Sequence, residues 1–420
     1  MMTIIYFILI LGITVFIHEL GHFMFAKRYG VYVYEFSIGM GPKLFKFNRK
    51  NDETNYCIRL LPIGGFVQMA GEEVEEDKNI PIEKSLRSKT AFQRFMIMVA
   101  GVMMNFILAF VFLFFLGLFN DVSVNNIYID GSTIKNLNNN DKIVEVDGHF
   151  VNNYDKLALE LTIVSDKDFT MVVEDSKGNE KEVDVYPIAL GKNGLPYKKD
   201  FGFEVNNVKI SKSSLKEVSV GDTIVSVNGT KITNNLELLN ELYKAKEEML
   251  LTLKDKNSKT REVKVTVKEN KADELLGYSY GFYITGEKVT GFFGALKYAC
   301  LKFFSTVEQM VFTVLYLITG DISLNMLSGP VGIFSVVGDA GRAGFSSVIS
   351  LLSLICINVG FINFLPLPAF DGGHILFIII EKIKGSRVNP KVENTIHNIG
   401  FILLMILMVL VTYNDIIRLF

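Results

Sequence analysis

Met2-Thr3-Ile4-Ile5-Tyr6-Phe7-Ile8-Leu9-Ile10-Leu11-Gly12-Ile13-Thr14-Val15-Phe16-Ile17 runs without a charge into His18-Glu19-Leu20-Gly21-His22. An uncharged run of this length approaches the roughly 20 residues a helix needs to cross a bilayer. Ionisable side chains at the end of such a run are expensive, so they mark a functional site by default. Histidines at i and i+4 share one helix face and can hold one Zn²⁺, while the carboxylate beside them can take a proton from a metal-bound water. No basic segment precedes the run and no small-residue cleavage site follows it, so it is expected to be retained and not removed as a signal peptide.

Three further uncharged runs, at 95–120, 343–370 and 398–414, give four expected spans in the 420-residue chain. Residues 27–94 carry twelve Lys and Arg, and Lys382, Lys384, Arg387 and Lys391 follow the third run. An excess of these residues marks cytoplasmic loops. Both termini and the long polar stretch between the second and third runs are therefore expected outside the cytoplasm. Residues 290–318 are aromatic and apolar but interrupted by Lys297, Lys302 and Glu308, which predicts an amphipathic helix at the outer interface and not a fifth span. A net charge of −2 with no basic patch excludes a nucleic-acid partner, and three cysteines, Cys57, Cys300 and Cys356, imply no disulfide framework.

The polar stretch contains a repeat. Asp141-Lys-Ile-Val-Glu-Val-Asp-Gly148 matches Asp222-Thr-Ile-Val-Ser-Val-Asn-Gly229. Each copy predicts an alternating strand, a tight Asp-Gly or Asn-Gly turn, and a Leu-rich helix, the second at about 234–246. The pattern resembles the PDZ domain, which takes an extended peptide as an added strand, over 201–268 and less closely over 122–188. Phe201-Gly202-Phe203 looks like that family's carboxylate-binding loop, and Asn138 to Asn140 replace the usual Gly before Asp141.

Catalytic zinc usually has three protein ligands and one open position. Asp371, which closes the third uncharged run, and His374, one turn on, are both candidates for the third; His149 and His397 complete the five histidines. Pro366 and Pro368 each lack a backbone N–H and disfavour helix just before themselves, so they are expected to open the helix beside the metal. Irregular backbone at membrane depth must face protein or a watery cavity, and hydrolysis needs such a cavity.

Asn363-Phe-Leu-Pro366-Leu-Pro368-Ala-Phe-Asp371-Gly372-Gly373 resembles the NxxPxPxLDGG signature of the site-2 protease family, with Phe370 where that family usually has Leu. With HELGH, the PDZ-like insert and Leu327-Ser328-Gly329-Pro330, the resemblance covers nearly the whole chain and is specific to the bacterial regulator-of-sigma-E protease branch. It implies Asp371 as third zinc ligand with His18 and His22, Glu19 as general base, and Asn363 in contact with substrate. Gly39-Met40-Gly41 and the extended residues to about Gln68 look like the family's membrane-associated β-hairpin, an edge to which a substrate strand could add. Ala100-Gly101-Val102-Met103-Met104-Asn105 is similar to its AGPxxN stretch but lacks the Pro, and Asn105 is expected to support the site.

The expected fold is a polytopic α-helical membrane protein of about four transmembrane helices, with two inserted extracytoplasmic PDZ-like α+β domains and a membrane-associated β-hairpin. Its divisions are 1–120, 121–198, 199–270, an interfacial segment 271–342, and 343–420. The expected activity is zinc-dependent peptide hydrolysis in the bacterial cytoplasmic membrane, with the metal toward the cytoplasm. The expected partners are single-pass membrane proteins already trimmed outside, such as anti-sigma factors or remnant signal peptides, together with membrane lipid and a PDZ-bound terminus. A silent PDZ adaptor would need none of His18, Glu19, His22 and Asp371. A metal transporter would show repeated spans and more helices.

Overall fold

The computed structural model describes every residue except 1, 51, 73–79, 121, 202, 272, 274, 281, 324–326 and 418–420. It divides into two units, Met1–Val124 with Lys288–Phe420, and Asn125–Glu287. Gly202 of the expected carboxylate loop lies outside the described residues. In chain order the described α-helices are α1 (Met2–Arg28), α2 (Ala91–Phe119), α3 (Tyr154–Ile163), α4 (Asn235–Lys244), α5 (Gly291–Thr319), α6 (Pro330–Ala343), α7 (Phe345–Phe364), α8 (Asp371–Lys384) and α9 (Pro390–Ile417).

In the first unit, α1 continues through HELGH to Arg28 without a break. A capping box opens α2: Thr90 Oγ1 accepts the Gln93 N–H and Gln93 Oε1 accepts the Thr90 N–H. Among the described residues five helices, α1, α2, α5, α7 and α9, are long and apolar enough to cross a bilayer. Four were expected to cross; α5 also meets the length and apolarity of a span despite its three charges. It runs antiparallel to α2, with Ala295 against Gly117 and Phe303 against Phe106 and Phe110. Yet the Val289 N–H reaches Val122 O at 3.1 Å, and Ser346 Oγ meets Asn120 Oδ1. The chain thus leaves and rejoins the same end of α2 between 289 and 346. That return keeps α7 parallel to α1 and brings their C-terminal ends together. Asp415 of α9 accepts the Gly332 N–H at 2.8 Å, and a Cβ on Gly329 would sit 2.9 Å from its carboxylate. This contact gives the Leu327–Pro330 motif a packing role.

The run 343–370 is not one span. Helix α7 stops at Phe364, and Asp371 opens α8. The Pro pair removes two donors, and Ala369 takes a left-handed φ of 77°. The strands β1 (Val33–Asn48) and β2 (Asn55–Met69) form a hairpin that folds over on itself. Phe36 lies opposite both Val67 and Tyr56, and the bends fall at Gly39, Gly41 and Gly64, all with φ near +85°. Buried Glu35 receives Lys43 and Arg59, and the Arg59 Nη1 donates to Gly41 O at 2.6 Å, fixing the curl. Met40, Leu44, Phe45, Phe47, Leu60 and Leu61 remain exposed at its tip.

The two six-stranded sheets of the second unit are built alike. In one, strands order as 282–288, 123–132, 142–146, 169–174, 180–185; in the other, 203–206, 209–213, 223–227, 248–254, 260–266. The repeat is structural. Asp147-Gly148 and Asn228-Gly229 turn with positive φ at both residues, Asn153 and Asn234 cap α3 and α4, and Asn140 adopts the left-handed φ that Gly221 has. Asp141 accepts the Asn138 N–H and pairs with Lys181; Asp222 accepts the Ser219 N–H and pairs with Arg261. The division of the insert differs from the linear one expected. Phe282–Lys288, assigned to an interfacial segment, completes the first sheet, and Phe282 joins that module's core with Ile129, Ile143 and Met171. The second module is therefore inserted within the first.

Candidate metal centre

His18 and His22 are one turn apart on α1, and both are buried. His22 Nδ1 lies 2.9 Å from Ile97 O. A carbonyl can only accept, so the proton sits on Nδ1 and the Nε2 lone pair is free. Asp371, in the first turn of α8, completes the group. His18 Nε2 is 3.0 Å and His22 Nε2 3.3 Å from Asp371 Oδ2, and the two Nε2 atoms are 3.2 Å apart. The imidazole planes cross at 83°, so the lone pairs converge and do not stack.

Such a triangle of acceptors is unfavourable without a cation. Asp371 Oδ2 faces the two imidazole Nε2 atoms, and among the described residues the buried His18 Nδ1 has no hydrogen-bond partner, at a cost of about 1–3 kcal/mol. Tetrahedral zinc with bonds of about 2.0–2.1 Å needs ligand atoms about 3.3 Å apart, which is this spacing. The residues present fit Zn²⁺ and leave a fourth position for water. Glu19 stands beside them, half-buried, against Gly65 of β2 and within reach of the Val67 backbone N–H.

Close backbone approach sets this geometry. A Cβ on Gly21 would sit 2.4 Å from Ala100 O, and one on Gly101 would sit 2.3 Å from His22 Nε2. Gly372 and Gly373 play the same part at α8, since a Cβ there would strike Leu365 O at 2.1 Å and Leu367 O at 2.6 Å. The expected substrate residues distribute as follows. Asn363 is half-buried in the last turn of α7, and Pro366 and Pro368 lie in the loop that runs from it to Asp371. Gly39 and Gly41 are at the hairpin bend beside Leu61.

Sequence reasoning missed two supports. His397 Nδ1 accepts the Ala369 N–H at 3.0 Å, and Gly400 packs on Pro368, so α9 clamps the loop. Arg94 of α2 pairs with buried Glu381 of α8, which also accepts the Val388 N–H. His374 is not part of the metal group; it stacks on His397 at 3.9 Å and pairs with Glu393 at 3.1 Å. Those three could also be read as a metal site, but an Nδ1 that accepts an N–H leaves the His397 proton on Nε2, and parallel rings do not converge on one ion.

Comparison with known proteins agrees with the geometry. The model of Peptidase family M50 matches residues 6–407. The chain is 31% identical to the zinc metalloprotease RasP of Shouchella clausii over the full length of both. It is 31% identical to the regulator of sigma-W protease RasP of Bacillus subtilis over all of this chain and 99% of that one. It is 32% identical to the probable protease eep of Enterococcus faecalis, again over both whole chains. Because the match runs from the first helix past α8 and so takes in both halves of the site, the chain belongs to peptidase family M50, the site-2 protease family, and is a zinc metalloprotease.

Proposed function

We propose that this protein cuts single-pass membrane proteins within or beside the bilayer, with His18, His22 and Asp371 as zinc ligands and Glu19 as general base. The observation that carries the reading is the triangle of three acceptor atoms at 3.0, 3.2 and 3.3 Å, with Glu19 next to it. Bound there, zinc would polarise the scissile carbonyl and acidify a water. Glu19 takes the proton from that water and returns it to the leaving amine.

A helical substrate hides its carbonyls, so it must unwind first. The loop with Pro366 and Pro368, Asn363 at its entrance, and the curled hairpin with Gly39 and Gly41 supply irregular and edge backbone for that step. The Val67 backbone N–H, within reach of Glu19, supports reading that strand as the edge beside the metal. The two modules of the insert are PDZ-like, lie outside the cytoplasm, and exclude bulky ectodomains. By this reading the site faces the cytoplasm of a bacterial cell. The name of the Bacillus subtilis relative, a regulator of sigma-W protease, favours an anti-sigma factor as substrate, with remnant signal peptides as a second class.

The test is cleavage in membranes of one tagged single-pass protein presented intact and trimmed outside. The trimmed form should be cut and the intact form spared, and Asp371→Ala should abolish cutting. Equal cleavage of both forms would remove the filter.

A further inference from the structure

Among the described residues, a side chain of α1 and a side chain of α2 carry buried polar atoms without a hydrogen-bond partner. One is His18 Nδ1; the other is the carboxamide of Asn105, at both Oδ1 and Nδ2. Asn105 is fully buried midway along α2, where lipid offers no hydrogen bond in exchange.

The register of α1 and α2 places the two at one level. Gly21 rests on Ala100 and Gly101, and the His22 ring covers Gly101. The helices are antiparallel, because Ile10 packs in one cluster with Ala109 and Leu113. Four residues, or about 6 Å of rise, lead from His22 back to His18 and from Gly101 on to Asn105. Both lie on buried stripes, Thr14, His18 and His22 on α1 and Gly101, Asn105 and Ala109 on α2. Asn358 has an orphaned Oδ1 as well, but it points elsewhere. Cys356 meets Thr14 of α1, and two residues turn a helix by about 200°.

The chemistry is complementary. His18 Nε2 must keep its lone pair to hold a cation, so Nδ1 carries the proton and is a donor. Metal-binding imidazoles give their second N–H to a carbonyl or carboxylate, as His22 does to Ile97 O. Asn105 Oδ1 is an acceptor without a donor. We propose that Asn105 is the positioning residue for His18, its Oδ1 accepting the Nδ1–H when Zn²⁺ is bound. This rests on the metal-centre reading above. It also gives the Asn of the Ala100–Asn105 stretch a reason to be an amide in an apolar helix.

The test uses the purified full-length chain loaded with Zn²⁺, titrated with a graded chelator, with retained metal measured directly and thermal unfolding followed with and without Zn²⁺. Asn105→Leu should hold Zn²⁺ about 10- to 100-fold more weakly, while Asn105→Asp, which keeps an acceptor, should stay within a few-fold of the wild type. Unfolding of metal-free Asn105→Leu should be unchanged or shifted upward, since an apolar side chain replaces an unpaired amide. The assignment is overturned if Asn105→Leu retains Zn²⁺ like the wild type, if Asn105→Asp is as weak as Asn105→Leu, or if Asn105→Leu lowers metal-free and loaded unfolding alike. A wild type that holds no Zn²⁺, or a His18→Ala variant that holds as much as the wild type, would instead remove the metal-centre reading itself.

Discussion

The insert and the membrane unit expose opposite kinds of side chain. In the insert, Ile143, Val146, Ile224, Leu238 and Leu251 are fully buried while lysines and glutamates cover the surface. In the membrane unit, α9 exposes Phe401, Ile402, Leu403, Ile406, Val409 and Leu410, and the interior holds Thr14, His18, His22 and Asn105. Water drives the first arrangement. In the second, lipid is as apolar as leucine, so close backbone contact and a few polar groups define the interior. The charged side chains buried in the insert are paired, Asp141 with Lys181 and Asp222 with Arg261; in the membrane unit, buried His18 and His22 form the metal centre.

The same substitution should therefore have different consequences in the two units. Gly101→Ala puts a Cβ 2.3 Å from His22 Nε2, and near-complete loss of bound zinc and of cleavage is expected. Gly148→Ala meets open space and only the strain of φ +82°, so about 1 kcal/mol of local stability should go and activity should stay. Zinc content and cleavage of the two variants measured together check this; equal effects would break the comparison. Next in size is a leucine pair. Leu238→Ala, at 0% exposure in the insert's core, should cost about 2–5 kcal/mol and unfold the second module, while Leu403→Ala, 61% exposed on α9, should leave folding in membranes unchanged. Limited proteolysis of the two reads the outcome.

How far each unit could be read beforehand follows the same division. In the insert, period-two strands, Asp-Gly and Asn-Gly turns and the repeat around Asp141 and Asp222 are local signals, and both modules follow from them. The nesting is not local: Phe282–Lys288 pairs with a strand about 150 residues earlier in the chain, and nothing in its seven residues names that partner. In the membrane unit, HELGH reads directly because its spacing is the helix period, and Pro366 with Pro368 announces the break before Asp371. What composition hides there is contact. Gly101, Gly372 and Gly373 matter for what would collide with a Cβ, His397 for a bond to a backbone N–H, and α5 satisfies length and apolarity despite Lys297, Lys302 and Glu308.

The smallest expected effect is in the insert and depends on pH. Tyr280 donates to Leu161 O at 2.9 Å, and burial pushes its phenol up to about 12 from the usual value of about 10. A raised folded value means stability that is complete below about pH 10 and lost as pH rises toward 12. The unfolding temperature should fall over that window in the wild type and fall less in Tyr280→Phe. The metal centre should not respond to the substitution.

Glu19 carries the most direct test of the account. Cleavage of a tagged, outwardly trimmed single-pass protein in membranes should be abolished by Glu19→Gln and by a zinc chelator, with the Glu19→Gln chain still present at wild-type level and still holding zinc. Cleavage that persists with Gln at position 19 would contradict the assignment of the general base and leave the site without its chemistry.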